Sequence, residues 1–155
     1  MNIATVVNLA TQAPYEYHNY GFTGFATQGD RQFAVQADGF YELVGDTDAD
    51  ASIDAWLTTG LLDFGNPALK TLAAAYLGYQ ADAPLHLTVT VGHLAGSQVM
   101  TYDLATTSAA PATARLKLGK GVKARYWQLR LANTTGGNFE IEALDILPVV
   151  LQRRI

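Results

Sequence analysis

An all-β fold, two antiparallel sheets packed as a sandwich, is the class this sequence predicts, and three features predict it. Its apolar runs have the length of strands rather than helices and alternate with polar residues at period two. Thr and Tyr, which suit a pleated and half-buried surface, recur along the chain, with 8 Tyr among 155 residues. Its 14 Gly punctuate the runs at turn-forming steps such as Asp38-Gly39 and Gly136-Gly137.

The elements follow in order. Residues 3–9 read as a first strand. Tyr15-Glu16-Tyr17-His18-Asn19-Tyr20 alternates aromatic and polar side chains before Gly21. Residues 32–36 and 40–44 flank Ala37-Asp38-Gly39, whose Asp-Gly step signals a hairpin. Residues 52–58 set Ile53, Ala55 and Leu57 against Asp54 and Trp56. Residues 85–91 set Leu85, Leu87, Val89 and Val91 against His86, Thr88 and Thr90, and residues 98–104 are expected to pair with them through a turn over 92–96. Leu116 and Leu118, then Trp127, Leu129 and Leu131, then Phe139, Ile141 and Ala143 continue the alternation. The expected interior is Trp127, Leu129, Leu131, Phe139, Ile141, Leu87 and Val89. Burying one Leu or Ile is worth about 1.5–3 kcal/mol, and an alternating strand collects that on one face only.

Two stretches need arbitration. Asn66-Pro67 reads as a helix cap with Pro in the first turn, and Leu69, Leu72, Ala73 and Tyr76 fall at helical spacing. Residues 71–79 also read as a buried strand stopped at Gly78, and the strands around them favour that reading. At most a short helical turn near 67–70 is expected. Residues 105–114, rich in Ala, Thr, Ser and Pro, read as an exposed loop.

Composition bounds the function. One domain spanning 1–155 is expected, with an aromatic-rich part at 1–45 and a C-terminal tail at 147–155. Hydrophobic residues make up 49% and charged residues only 15%, where about 25% charged is usual, so partners are expected to cover part of the surface. With no Cys, disulfides, thiolate metal sites and cysteine nucleophiles are excluded. Neither a secretion signal nor a membrane helix is expected. Residues 1–114 carry only Arg31 and Lys70 against eleven acids, whereas residues 115–155 carry eight bases against three acids. Opposite poles suggest subunit contacts between unlike patches, unless the fold interleaves the two segments.

Candidate chemistry is sparse. Asp46, Asp48 and Asp50 stand at alternate positions, as at the start of a calcium loop. The helical calcium-binding loop also needs Gly and Glu where Ala51 and Leu57 stand, so a solvated acidic turn is the better reading. His18, His86 and His93 are too scattered for a metal motif, and the serines lack a Gly-x-Ser-x-Gly setting. Asp54 and Asp63 are the one conceivable carboxylate pair. No enzymatic activity and no cofactor are expected. Tyr15, Tyr17 and Tyr20 are expected to share one face whose polar tips suit a wet interface. Lys120 and Lys123, in a basic stretch with Lys117 and Arg125, are read as a charged subunit contact rather than a nucleic-acid stripe, given the acidic whole.

A family resemblance adds to this. The ordered series Thr59-Gly60-Leu61-Leu62-Asp63-Phe64-Gly65, Leu69-Lys70, Ala75-Tyr76-Leu77-Gly78-Tyr79, Gly119-Lys120-Gly121, Arg125-Tyr126-Trp127-Gln128 and Leu147-Pro148-Val149 with Arg153-Arg154 resembles a pattern in tail proteins of long-tailed, siphovirus-like bacteriophages. It covers roughly residues 31–155. The resemblance implies a non-enzymatic structural subunit of the tail tip or baseplate, made in the bacterial cytoplasm, contacting copies of itself and other tail proteins. From the acidic whole and the absence of a long apolar run, no nucleic-acid or membrane partner is expected. Tyr126 to Leu131 and residues 141–146 are also similar to the closing strands of galactose-binding-like jelly rolls. That similarity supports a sandwich of jelly-roll type and raises a host-surface glycan as the alternative partner.

The tail completes the expectation. Pro148 interrupts strand hydrogen bonding, so Val149, Val150 and Leu151 are expected to leave the sheet. Val150 and Leu151 would then enter a groove on a neighbouring subunit, where Arg153 and Arg154 meet acids such as Asp46 or Asp48; the alternative is that the tail packs on its own domain and the arginines are solvated.

Overall fold

The computed structural model describes residues 2–45, 47–48, 50–93, 96–104, 107–119, 121–133 and 135–151. Its strands are all paired antiparallel, and no helix occurs among the described residues. The chain divides into two compact units, Met1–Gly45 and Asp46–Ile155, so the aromatic-rich part of the expected single domain forms a unit by itself.

In the first unit, β1 (Ile3–Val7) pairs with β2 (Pro14–His18), and β3 (Gly24–Gln28), β4 (Arg31–Gln36) and β5 (Gly39–Glu42) form a three-stranded sheet. The β3–β4 turn has Gly29 at φ 60° in its first central position, which is where a II′ hairpin turn demands Gly. The β4–β5 turn is Ala37-Asp38, and Gly39 already belongs to β5. One face of this sheet is built from rings. Tyr20 stacks on Tyr17 (5.7 Å between centroids) and on Phe25 (6.0 Å), and Phe22 packs against Tyr20 (4.8 Å) and Tyr41 (5.6 Å). Ala34 is fully buried there. On the other face Phe33 lies between Phe40 (5.1 Å) and the Arg31 guanidinium (5.0 Å).

The second unit begins with the short hairpin of β6 (Thr47–Asp48) and β7 (Ala51–Ser52). Two sheets follow. In the four-stranded one, β11 (Gly96–Leu104), β10 (Leu85–His93), β13 (Trp127–Asn133) and β8 (Trp56–Thr58) lie side by side in that order. In the three-stranded one, β9 (Lys70–Ala81) lies between β12 (Ser108–Lys117) and β14 (Phe139–Val150). Their inner faces share one core, with Leu77, Leu87, Val89, Trp127, Leu129 and Leu131 buried in it and Phe139 and Ile141 half-buried against it. Trp127 fills the largest share. Its indole N–H meets no acceptor among the described residues, a cost of about 1–3 kcal/mol that packing must outweigh.

The strand reading of residues 71–79 holds, as part of β9, and no helical turn is present near 67–70: Asn66 Oδ1 accepts from Ala68 N (2.8 Å) in an Asx turn, and the chain enters β9 directly. Other expectations are corrected. Residues 108–114 are strand rather than loop, because β12 starts at Ser108 and turns Ala112, Ala114 and Leu116 toward the core; residues 105 and 106 lie outside the described residues. Pro111 is tolerated because β12 is an edge strand with a bulge between Ser108 and Ala112. The expected strand over 52–58 breaks into β7 and the three-residue β8. Tyr20 does not continue the alternation of Tyr15 and Tyr17. Asn19, at φ 60°, turns the chain so that the Tyr20 ring folds back on Tyr17.

The largest correction concerns the tail. Pro148 does not end the sheet: β14 runs to Val150, with Val149 opposite Thr71 and Val150 opposite Lys70. Leu151 N still donates to Leu69 O (2.9 Å). The proline sits at a register shift on an edge strand, where its missing N–H costs no ladder bond. Arg153 and Arg154 lie outside the described residues.

Two predictions follow from this geometry. Deleting residues 149–155 removes the last β14–β9 pairs, and unfolding in denaturant should show a loss of about 1–3 kcal/mol; unchanged stability would mean that these pairs contribute nothing. In the first unit, Arg31 Nε donates to Glu42 Oε1 (2.6 Å), and this hydrogen bond, then the guanidinium charge, holds the Glu42 carboxyl below its ordinary range. A carboxyl depressed in the folded state stabilises above its unfolded pKa, and that contribution disappears as pH falls through the folded value. Carboxyl NMR should find Glu42 titrating low in the native protein and at its ordinary position in Arg31→Ala.

Candidate binding surfaces

Side chains of the four-stranded sheet alternate between core and solvent, so the sequence that buries Leu87, Val89, Leu129 and Leu131 turns their neighbours outward. The register sets them in two rows. Asp103, His86, Ala132 and Trp56 form one, and Thr101, Thr88, Arg130 and Thr58 the other. With Asp54 and Asn133, most of these residues line an open depression of about 260 Å³.

Within it, His86 Nδ1 and Asp103 Oδ1 are 2.7 Å apart, and the Thr88 and Thr101 hydroxyls 3.5 Å apart. The Arg130 guanidinium lies 4.8 Å from the Trp56 ring centroid, within cation–π range. Trp56 remains 42% exposed. An indole beside hydroxyls, carboxylates and a guanidinium is a surface for a polar ligand with apolar faces. Among the described residues no group of three or more His, Asp or Glu is placed to hold a metal ion.

The chain leading to Trp56 is held by Asn133, one of few buried polar residues. Its Oδ1 accepts from Ala55 N (2.7 Å), and its Nδ2 donates to Gly137 O (2.7 Å). Lys70 plays a comparable part at the other end of the sandwich. It is fully buried, and its ammonium donates to the backbone oxygens of Asn66 (2.6 Å) and Arg125 (3.0 Å). Its own backbone exchanges hydrogen bonds with Ala124.

The residues singled out in the sequence do not converge on one place. Tyr15 and Tyr17 are half exposed, whereas Tyr20 belongs to the ring cluster. Val150 is 42% exposed at the end of β14, Leu151 is half-buried and Lys123 is exposed. Lys120 and Asp46 lie outside the described residues. Asp48 pairs opposite Ala51 in the small hairpin, and Asp50 takes φ 67° in its turn. Asp63 Oδ1 caps Gly65 N (2.9 Å), while Asp54 lines the depression. Trp56, Arg130 and the His86–Asp103 pair were not foreseen as a group. Alternation from Leu87 and Leu129 marks them as outward-facing, but strand order alone makes them neighbours.

Asn133→Ala should leave Ala55 N–H and Gly137 C=O without their partner, costing about 1–3 kcal/mol for each group left unmatched. Thermal unfolding checks this; a wild-type midpoint would show that neither bond stabilises the fold. No protein-family model matches the chain, and no curated protein matches it.

Proposed function

We propose that the protein is a non-enzymatic structural subunit of the tail tip or baseplate of a long-tailed bacteriophage, made in the host cytoplasm and working through contacts with copies of itself and other tail proteins. The observation that carries this reading is where apolar surface is exposed. Of 22 large hydrophobic side chains exposed among the described residues, 11 fall in the first 45 residues, including Phe25 at 63% and Phe40 at 65%. A unit that small rarely stabilises itself without a staple or a partner, and concentrated apolar exposure marks a surface that partners cover. The motif series from Thr59 to Arg154 supports the same reading. So does the strand nesting, in which the β10–β11 pair lies inside β9–β12 and that inside β8–β13, as in a jelly roll.

Mass spectrometry and imaging of purified particles test it. The protein should be found in the tail, in several symmetry-related copies. Particles that assemble, adsorb and infect without it would overturn the reading.

The depression beside Trp56 favours a second reading, a module that binds host-surface glycan. An aromatic ring flanked by hydrogen-bonding groups suits a sugar, with one apolar face and a polar rim. A glycan array separates the two. A specific hit that is lost in Trp56→Ala, with incorporation into particles unchanged, selects the glycan role. Silence on the array together with presence in the tail selects the structural one.

A further inference from the structure

The outer face of the three-stranded sheet has a charge order that selects its own partner. Alternation turns Leu77, Leu116, Leu144 and Ile146 inward, which leaves Arg115 on β12, Tyr76 on β9 and Asp145 on β14 facing out. Register places these three in one row, because Arg115 and Asp145 both lie opposite Tyr76. The next row is Lys117, Ala74 and Leu147. One edge of the face is therefore basic. The other carries Glu140, Glu142 and Asp145. Between and beside them lies apolar surface: Tyr76 is 37% exposed, Leu147 48% and Val149 46%.

Resting on the reading of the protein as an assembly subunit, we infer that two copies pair through this face about a twofold axis running along β9. That axis lays β12 of one copy over β14 of the other. Arg115 then meets the second copy's Asp145 twice over, Tyr76 lies against Tyr76 at the axis, and the Lys117 stem covers Leu147. A twofold axis across the strands would instead stack β12 on β12 and β14 on β14, setting like charges together. Charge thus chooses one axis of the two.

Side-by-side growth of the sheet is the competing arrangement, and both edges oppose it. Pro111 lies within the bulged stretch of β12, and Pro148 lies at the register shift of β14. Bulges, prolines and charged side chains are the devices that blunt a strand edge. The face is left as the surface through which copies associate.

Analytical ultracentrifugation of the full chain, alone and across micromolar concentrations, tests this. Wild type should form a two-chain species. Arg115→Glu and Asp145→Arg should each weaken it by at least about tenfold. An equimolar mixture of the two variants should recover a heterodimer, because each reversed charge then faces a complement across the twofold axis. Wild type that stays monomeric, or a mixture no stronger than its components, overturns the inference. If wild type is monomeric and Arg115→Glu still blocks incorporation into particles, the face belongs to another tail component. The tail reading itself is judged on particle composition, so the two can fail separately.

Discussion

Everything in the second unit hangs on two strands whose alternation cannot slip. β9 and β10 are consecutive in the chain, yet each is flanked on both sides in a different sheet. A shift of one residue in either would turn its buried set to solvent and its polar set to the core. The connection between them is held from outside. Gly137 approaches so closely, at φ 90°, that a Cβ there would lie 2.7 Å from the Ala83 Cβ. Asp82 N donates to Asn138 O across the same junction (3.0 Å). The turn that starts β14 is thereby locked against the turn that starts β10.

Period two was legible in the sequence because its cause is local: a strand with one buried face must alternate. Leu87, Val89, Leu129 and Leu131 could be assigned to the interior without knowing which strands they oppose. Composition misled at residues 108–114, since small residues with a proline resemble a loop when the neighbouring strand is unseen. The same ignorance governed Pro148. A proline forbids a central strand but not a bulged edge, and edge position is a property of the whole sheet. The tyrosines show a third limit: Tyr20 stands at an odd step from Tyr17, where period two places it on the opposite face, and the left-handed turn at Asn19 brings its ring back onto Tyr17. The outer-face rows were half legible. Alternation names their members, but long-range pairing decides that Trp56 meets Arg130 and His86 meets Asp103.

Charge is segregated in the sequence and mixed again by the fold. Arg115 and Lys117, from the basic stretch, share a sheet with Glu140, Glu142 and Asp145, and Arg130 shares its face with Asp54 and Asp103. What stays one-sided is the first unit, with Arg31 alone against Glu16, Asp30, Asp38 and Glu42. Its one Arg is paired with Glu42, and the charge that remains on the unit is acidic.

Lys70 has a consequence for how the molecule's motions can be watched. An ammonium sealed by the carbonyls of Asn66 and Arg125 is closed to acylating reagents, whereas Lys117 and Lys123 stand in solvent. Reagent can reach Lys70 only when the segment around Ala124 lifts away from the start of β9, since their backbones are hydrogen-bonded to one another. The rate at which that amine is labelled therefore clocks a local opening, separately from unfolding of the whole. The chain carries its own timer for the breathing of one end of its sandwich.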